Sequence, residues 1–372
     1  MTRNKQGSEL TRRNFLRGVS LAGAAWAAGA WGATARAAAG ARQAAHPAGP
    51  LLLDRGFASA RKLAEGVYAV VSDTTKGYDT LCNGGFLCGR DAVILWEGYA
   101  TTKGAAFQLE ALRKVTNRKI EAAINSHYHF DHTFGNAQYA DAKIPIWAHA
   151  KVTPLIQERY LPLQNKDKSA FFAPAEKHLR EAVSEEDQQH AEGDLAVLKT
   201  IAGMLDSTVV ALPTRALSPN ELPMKVDLGG LELVIETYPG HTPGDLILRV
   251  PAQEIVFTGD LLFHRSYPVT IDADVAGWMK TLDAFGRFGR KTLFVPGHGP
   301  ICGQEGIELL KTLFADLAQH ARQMAQLGVP IPEAQRRYSV PERFKELGLF
   351  SWGFCIEQAV AQFYQAAIQG KI

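Results

Sequence analysis

The first half of the chain alternates between short apolar runs and a segment of helical spacing. Ala105, Leu109 and Leu112 recur on one face at the period of an α-helix. Short apolar runs predict strands on either side of this helix, at residues 67–71, 85–88, 92–96, 122–124 and 144–147. This alternation of strand, helix and strand predicts a layered α/β domain.

Residues 151–223 interrupt the alternation. The segment is largely polar and rich in helix-forming residues, and one apolar helical face is formed by Leu195, Leu198, Ala202 and Leu205. We interpret it as a helical insertion in the α/β domain. Beyond it, the pattern of short strands resumes.

The second half predicts a hairpin, two strands and a helical C-terminal region. Residues 226–233 predict the hairpin, because the pair Gly229-Gly230 supplies the positive φ angles of a two-residue turn. Apolar strands follow at residues 255–257 and 293–295. Helices are expected over residues 303–372, where one apolar face recurs every three or four positions at Ile307, Leu310, Phe314, Leu317, Ala321 and Met324.

The N-terminal region has the residue pattern of an export signal. The pair Arg12-Arg13 precedes a weakly apolar, Ala/Gly-rich stretch over residues 18–35, and small residues mark cleavage near Ala37 or Ala39. We therefore predict a twin-arginine signal in residues 1–37, a flexible leader in residues 38–60 and a periplasmic domain in residues 61–372. The apolar stretch is too short and too poor in large residues to predict a stable membrane anchor.

Composition and charge narrow the class of partner. Hydrophobic residues make up 46% and charged residues 21% of the 372-residue chain, as in ordinary globular proteins. Removing residues 1–37 takes away six basic residues and one acidic residue, which changes the formal charge from +2 to −3. No basic face remains to predict nucleic-acid binding, so a small-molecule substrate is the expected partner. The sequence leaves homo-oligomer formation open, and it leaves open whether Cys82 and Cys88 form a disulfide or two buried thiols.

The candidate chemistry begins with the sequence His-Tyr-His-Phe-Asp-His at residues 127–132, directly after a predicted strand. His127, His129 and Asp131 are two residues apart and can point to one side, while His132 follows after a turn of the backbone. One segment can therefore supply ligands to two adjacent metal ions. Imidazole and carboxylate donors suit zinc, although iron and manganese accept the same donors.

Three further candidates each follow a glycine at or just after the end of a predicted strand. They are His241, Asp260 and His298. A strand holds such a side chain rigidly, and the glycine lets the backbone approach an ion closely. The same arrangement at three positions favours a common site.

These segments, in this order, resemble the metallo-β-lactamase superfamily over roughly residues 63–300. The resemblance implies a four-layer αβ/βα sandwich with two metal ions, zinc in the first instance. One ion would be held by His127, His129 and His241, and the other by Asp131, His132 and His298. Asp260 would bridge the two ions.

The resemblance also implies a reaction type. Two ions about 3.5 to 4 Å apart activate a bridging hydroxide for attack on an ester, thioester, lactone or related bond. Asp131 and Asp260 would orient that hydroxide and pass its proton to the leaving group. Family insertions near the metal loops shape the substrate pocket, so residues 151–223 are expected either to select the substrate or to cap the domain or form a dimer contact. His264 and Arg265, just beyond Asp260, could meet a substrate carboxylate or form a solvated charge pair.

Asp260 separates this chain from true β-lactamases, which usually have cysteine or serine there. The sequence is closer to glyoxalase II-like thioesterases and lactonases, and more faintly to periplasmic metallohydrolases of quinoprotein-relay and sulfur-oxidation systems. Three alternatives stay open: a β-lactamase, a mononuclear iron persulfide dioxygenase, and a non-catalytic metal-binding or partner-binding protein of the periplasm. The complete set of donors for a second metal favours hydrolysis over the last two.

Overall fold

The computed structural model describes residues 49–164, 168–182, 185–206, 208–350 and 355–372. Two β-sheets lie face to face, and helices cover the outer face of each. This is the predicted four-layer α/β sandwich, which confirms the fold class. The predicted signal in residues 1–37 and the leader up to residue 48 lie outside the described residues.

The first sheet contains eight strands in chain order. They are β1 Leu51–Asp54, β2 Ala58–Ala64, β3 Val67–Ser72, β4 Gly84–Cys88, β5 Ala92–Trp96, β6 Lys119–Ile124, β7 Ile146–His149 and β8 Arg215–Leu217. Pairing is antiparallel from β1 to β5 and parallel from β5 to β8. Parallel neighbours need a long crossover connection, and the helix α1 (Thr102–Arg113) supplies it between β5 and β6.

The second sheet contains five strands in the order β13-β12-β11-β10-β9. They are β9 Met224–Asp227, β10 Glu232–Thr237, β11 Leu246–Val250, β12 Ile255–Phe263 and β13 Leu293–His298. The predicted hairpin is present as β9 and β10, and Gly229 and Gly230 at its turn have φ of 86° and 85°. Only β12 and β13 are parallel, and the helix α7 (Val275–Phe285) connects them.

The other helices lie in or next to the His-rich loop (residues 127–132), in the insertion and at the C-terminus. They are α2 Phe130–Thr133, α3 Asn136–Asp141, α4 Val152–Arg159, α5 Ser169–Glu181, α6 Glu185–Asp206, α8 Gln304–Gln326, α9 Ile331–Arg337 and α10 Cys355–Ile368. Short 3-10 turns occupy Leu161–Gln164, Pro219–Glu221, Pro251–Gln253 and Glu342–Phe350. Among the described residues, no helix is both long enough and apolar enough to cross a membrane.

Side chains alternate in direction along each strand, and this divides the core into separate layers. On β3, Val67 and Ala69 face the second sheet, while Tyr68 and Val70 face the helix α1. Successive side chains of a strand point to opposite faces, so a run buried on both faces is apolar throughout. The core between the sheets includes Phe257 of β12, and the helices α7, α8 and α10 bury the outer face of the second sheet.

Two predicted boundaries are wrong. The predicted leader reached residue 60, but Leu51–Asp54 and Ala58–Ala64 form paired strands, and Leu53, Phe57 and Ala58 are buried in the core under α1. The predicted insertion ran to residue 223, but its helices end at Asp206 and Arg215–Leu217 joins the first sheet beside β7. In both segments, backbone hydrogen bonds to a neighbouring strand override a weak local sequence pattern.

Candidate metal centre

The structure brings the seven predicted metal-binding side chains together at one edge of the sandwich. Residues 127–132 form the loop and the short helix α2 that follow β6 of the first sheet. His241 lies between β10 and β11, Asp260 is within β12 and His298 ends β13, all in the second sheet. Each sheet therefore contributes part of the site. The side chains form two groups, one of His127, His129, His241 and Asp260 and one of Asp131, His132 and His298.

In the first group, three imidazole nitrogens converge beside one carboxylate. Nδ1 of His129 lies 2.9 Å from Nε2 of His127 and 2.9 Å from Nε2 of His241. Nε2 of His241 is 3.3 Å from Oδ2 of Asp260. Nitrogen and oxygen donors bound to one zinc at about 2.0–2.1 Å must lie close to each other in this way.

In the second group, carboxylate oxygens of Asp131 and Asp260 meet two imidazoles. Nε2 of His298 lies 3.2 Å from Oδ2 of Asp131 and 3.2 Å from Oδ2 of Asp260. Nε2 of His132 lies 3.4 Å from Oδ2 of Asp131 and 3.2 Å from Oδ1 of Asp260. Asp260 thus contacts both groups, which is the geometry expected of a bridging ligand.

The donor atoms themselves support a cation at this position. Nε2 of His132 and Oδ1 of Asp260 are both buried, and neither has a hydrogen-bond partner among the described residues. A buried polar atom without a partner is costly, because it has lost its hydrogen bonds to water. Two such atoms 3.2 Å apart, facing further histidine and aspartate donors, fit a bound metal ion.

Burial and close neighbours shift the pKa values of these donors. Burial, together with neighbouring histidines, lowers the pKa of His127 well below its usual value and lowers that of His241 to about 3, so both rings are neutral donors. Burial alone would lower the pKa of His298, but the carboxylates of Asp260 and Asp131 outweigh burial and raise it to about 9. Burial alone would raise the pKa of Asp131 and Asp260, but the adjacent histidines outweigh burial and lower the pKa of both carboxyls.

Side chains behind the metal-binding residues hold the rings in place. Nδ1 of His132 lies 3.2 Å from Oε2 of the buried Glu97, and Oγ of Ser126 lies 2.9 Å from Nδ1 of His127. Nδ1 of His241 is 2.9 Å from the carbonyl oxygen of Val269. These contacts leave the Nε2 atoms directed at the site, as outer partners of metal-bound histidines commonly do. Sequence reasoning missed Glu97, although it directly follows β5 and so has the same strand-end placement as the predicted ligands.

A second set of missed residues lies on the other side of His129. Nε2 of His129 is 3.5 Å from Oδ2 of Asp272, which also accepts hydrogen bonds from Tyr128 and Arg159. Asp272 lies in the segment between β12 and α7, and Arg159 ends the insertion helix α4. No local sequence signal marks either residue, because the contact joins positions 113 residues apart.

The two predicted substrate residues, His264 and Arg265, lie outside the two metal-binding groups. Nδ1 of His264 is 2.8 Å from the carbonyl oxygen of Pro300, and Arg265 follows it with a φ of 57°. Cys82 and Cys88 are buried thiols that form no disulfide with each other, and Cys302 and Cys355 are buried too. The Cys82 thiol donates to the carbonyl oxygen of Asp131 at 3.0 Å, and burial raises the pKa of this thiol to about 12. It therefore supports the His-rich loop as a neutral thiol.

Solved structures with the same fold include enzymes of more than one kind. The stereoselective inverting sec-alkylsulfatase Pisa1 from Pseudomonas sp. superposes with a TM-score of 0.57 at 16% identity, covering 83% of this chain and 50% of that chain. A metallo-beta-lactamase from Pontibacter korlensis superposes with a TM-score of 0.50 at 15% identity, covering 69% of this chain and 99% of that chain. These similarities show a shared fold.

Sequence comparison identifies the family. An uncharacterized protein of Mycobacterium tuberculosis (strain ATCC 25618 / H37Rv) is 37% identical over 86 residues, which are 20% of this chain and 37% of that protein. The chain thus matches little more than a third of that relative's length. The sequence model of the metallo-beta-lactamase superfamily matches residues 77–298, more than half of the chain. The protein belongs to the metallo-beta-lactamase superfamily, as its motifs predicted.

Proposed function

We propose that the protein is a periplasmic dinuclear zinc hydrolase that cleaves an ester, thioester, lactone or related bond. The observation that carries this proposal is the complete set of seven donors, arranged as two groups that share Asp260. A site for one ion would not need the separate trio Asp131, His132 and His298. The twin-arginine pattern in residues 11–17 supports export to the periplasm.

The protein side chains would have distinct roles in this reaction. Two bound zinc ions would supply an activated water near neutral pH and a positive field for the oxygen that becomes negatively charged. Asp260 faces both groups and Asp131 faces the second, so their carboxylates can accept a hydrogen bond from the attacking water and hold it in place. No serine or cysteine nucleophile is required, and the neutral buried Cys82 is not suited to be one.

The packing of the insertion supports a role in substrate choice. Its residues Val152, Ile156 and Leu163 pack in the same cluster as Tyr128 and Phe130 of the His-rich loop. This cluster brings the insertion next to the first metal-binding group. We therefore propose that the insertion forms part of the wall that a substrate meets.

The test combines metal analysis with a substrate panel. Purified protein is analysed for metal content and assayed with a thioester, a lactone, a chromogenic cephalosporin and a secondary alkyl sulfate. The sulfate ester is included because the structurally similar sulfatase covers most of this chain. We expect about two zinc ions per chain and turnover of one ester class.

Variants identify the site responsible. His129→Ala is expected to abolish turnover and reduce zinc content, because it removes a donor at the centre of the first group. His320→Gln is the control, since His320 lies on α8 and its Nε2 bonds the carbonyl oxygen of Ala334, outside both groups. A single iron with oxygen uptake on a persulfide, and no hydrolysis, would overturn the proposal. Cephalosporin turnover alone would reassign the protein as a β-lactamase.

A further inference from the structure

Three residues form a compact ionic cluster against His129. The guanidinium of Arg159 donates to both carboxylate oxygens of Asp272, at 2.8 Å and 2.7 Å, and the hydroxyl of Tyr128 donates to the same carboxylate. The Arg159 guanidinium also lies over the Tyr128 ring, 5.0 Å from its centroid. We call Tyr128, Arg159 and Asp272 the Asp272 cluster. Within this cluster, Oδ2 of Asp272 faces Nε2 of His129 at 3.5 Å.

His129 differs from the other imidazoles in how it faces the site. His127 and His241 direct Nε2 at the shared centre, while His129 directs Nδ1. An imidazole that binds a metal through Nδ1 must carry its proton on Nε2, and that N–H needs an acceptor. Asp272 is the carboxylate found on that side of the ring.

Charge and burial favour a fixed carboxylate at this position. The Asp272 side chain is only 13% exposed, and that of Arg159 is 20% exposed. The bidentate, positively charged Arg159 and the hydroxyl of Tyr128 both bond this carboxylate, which fixes it beside His129. Two parallel N–H···O bonds fix the plane of the carboxylate, which a single lysine contact would not do.

We propose that Asp272 is a positioning residue for His129, and that Arg159 of the insertion holds it in place. Asp272 selects the His129 tautomer in which Nδ1 is free to bind the first metal ion. The insertion is then a structural part of the metal centre, through the last residue of α4. The inference requires that the site binds metal, as proposed above, but it does not depend on which bond is hydrolysed.

Zinc affinity provides a readout that does not depend on activity. Full-length protein is stripped of metal and titrated with zinc against a chromophoric chelator, which yields two stepwise dissociation constants. Asp272→Asn keeps the size of the side chain but removes its charge, and Arg159→Met keeps a long apolar chain but removes both bonds. We expect each to weaken one of the two constants by roughly 10- to 100-fold, the usual effect of losing such an outer partner. Arg159→Lys should restore only part of the loss.

A matched control separates positioning from general destabilisation. Arg249 also bonds a carboxylate, Glu236, at 2.9 Å and lies over an aromatic ring, that of Phe288, at 4.9 Å. Arg249 and Glu236 belong to neither metal-binding group. Arg249→Met should lower thermal stability by as much as Arg159→Met does, yet leave both zinc constants unchanged.

The outcomes separate this inference from the proposed function. Folded Asp272→Asn protein with both zinc constants equal to those of the wild type would overturn the positioning role, while wild-type turnover would still support the hydrolase. Wild-type protein that binds zinc tightly but hydrolyses nothing would remove the proposed function and leave the positioning role supported by the variants. Wild-type protein that binds no zinc would overturn both.

Discussion

Gly297 offers a sharp test of the role assigned to Asp260. It lies in β13 directly before His298, and a Cβ added there would be 1.9 Å from Oδ1 of Asp260 and 2.8 Å from the carbonyl carbon of Gly259. Gly297 is not one of the described glycines with positive φ, so alanine meets no intrinsic backbone penalty there. The effect of Gly297→Ala should therefore come from the contacts with Asp260 and with the Gly259 backbone directly before it.

The size of the effect follows from these distances. Ordinary contact begins near 3.4 Å, so the Asp260 carboxylate, or the strand carrying the new methyl group, must move by about 1.5 Å from the present separation of 1.9 Å. Catalytic and metal-binding groups tolerate displacements of only about 0.5 Å. We expect zinc affinity to fall roughly 10- to 100-fold at both sites, because both groups contact Asp260. The added methyl group should also cost about 1–3 kcal/mol of stability.

The assay is zinc titration of metal-free Gly297→Ala protein, together with urea unfolding in the presence of chelator. Gly203→Ala is the matched control, because Gly203 lies in α6 and an added Cβ there meets no atom within 4 Å. That variant should keep wild-type zinc affinity and gain about 0.5–1 kcal/mol of stability. If Gly297→Ala bound two zinc ions as tightly as the wild type does, the reasoning about Asp260 as a shared ligand would be refuted.

Two further predictions concern stability. Burial raises the pKa of Asp245 to about 8 from 3.8, despite hydrogen bonds from Thr242, so the folded wild type loses stability as pH rises from about 4 to about 8. The side chain introduced by Asp245→Asn cannot ionise, so the stability of this variant relative to the wild type should rise between pH 5 and pH 8. The measurement is urea unfolding of metal-free protein. An equal difference in unfolding free energy between variant and wild type at both pH values would contradict this. Phe257 is fully buried between the sheets, and Phe257→Ala should cost about 3–5 kcal/mol in the same assay, whereas a cost below about 1 kcal/mol would show that the core readily collapses around it.

The sequence was sufficient for the family, the layered fold and the grouping of the predicted metal-binding residues. His127, His129 and His132 fall in one short motif, and His241 and Asp260 each follow a glycine at or just after the end of a predicted strand. Such signals are local, because a strand fixes where its end must lie. That the seven side chains bind metal stays a prediction, which zinc titration tests.

The rest depends on contacts between distant parts of the chain. Asp272 meets Arg159 only because the insertion packs beside the segment after β12, and nothing in either local sequence indicates this. Leu53 is buried because β1 pairs with β2, although the surrounding composition resembles a leader. Tertiary packing and strand pairing decided these positions, and neither can be derived from local sequence spacing.

The metal-binding side chains come from both sheets, so metal content affects how firmly the two sheets are held together. His127 and Asp131 come from the loop after β6 in the first sheet, while Asp260 and His298 belong to the second. An ion held by both sets is a cross-link between the halves of the sandwich, and the complete site exists only when the halves are docked. Ligands that bind only the folded state oppose unfolding in proportion to the logarithm of their concentration. Loss of metal would therefore weaken the attachment between the two sheets, and metal-free protein would be the form most open to proteolysis.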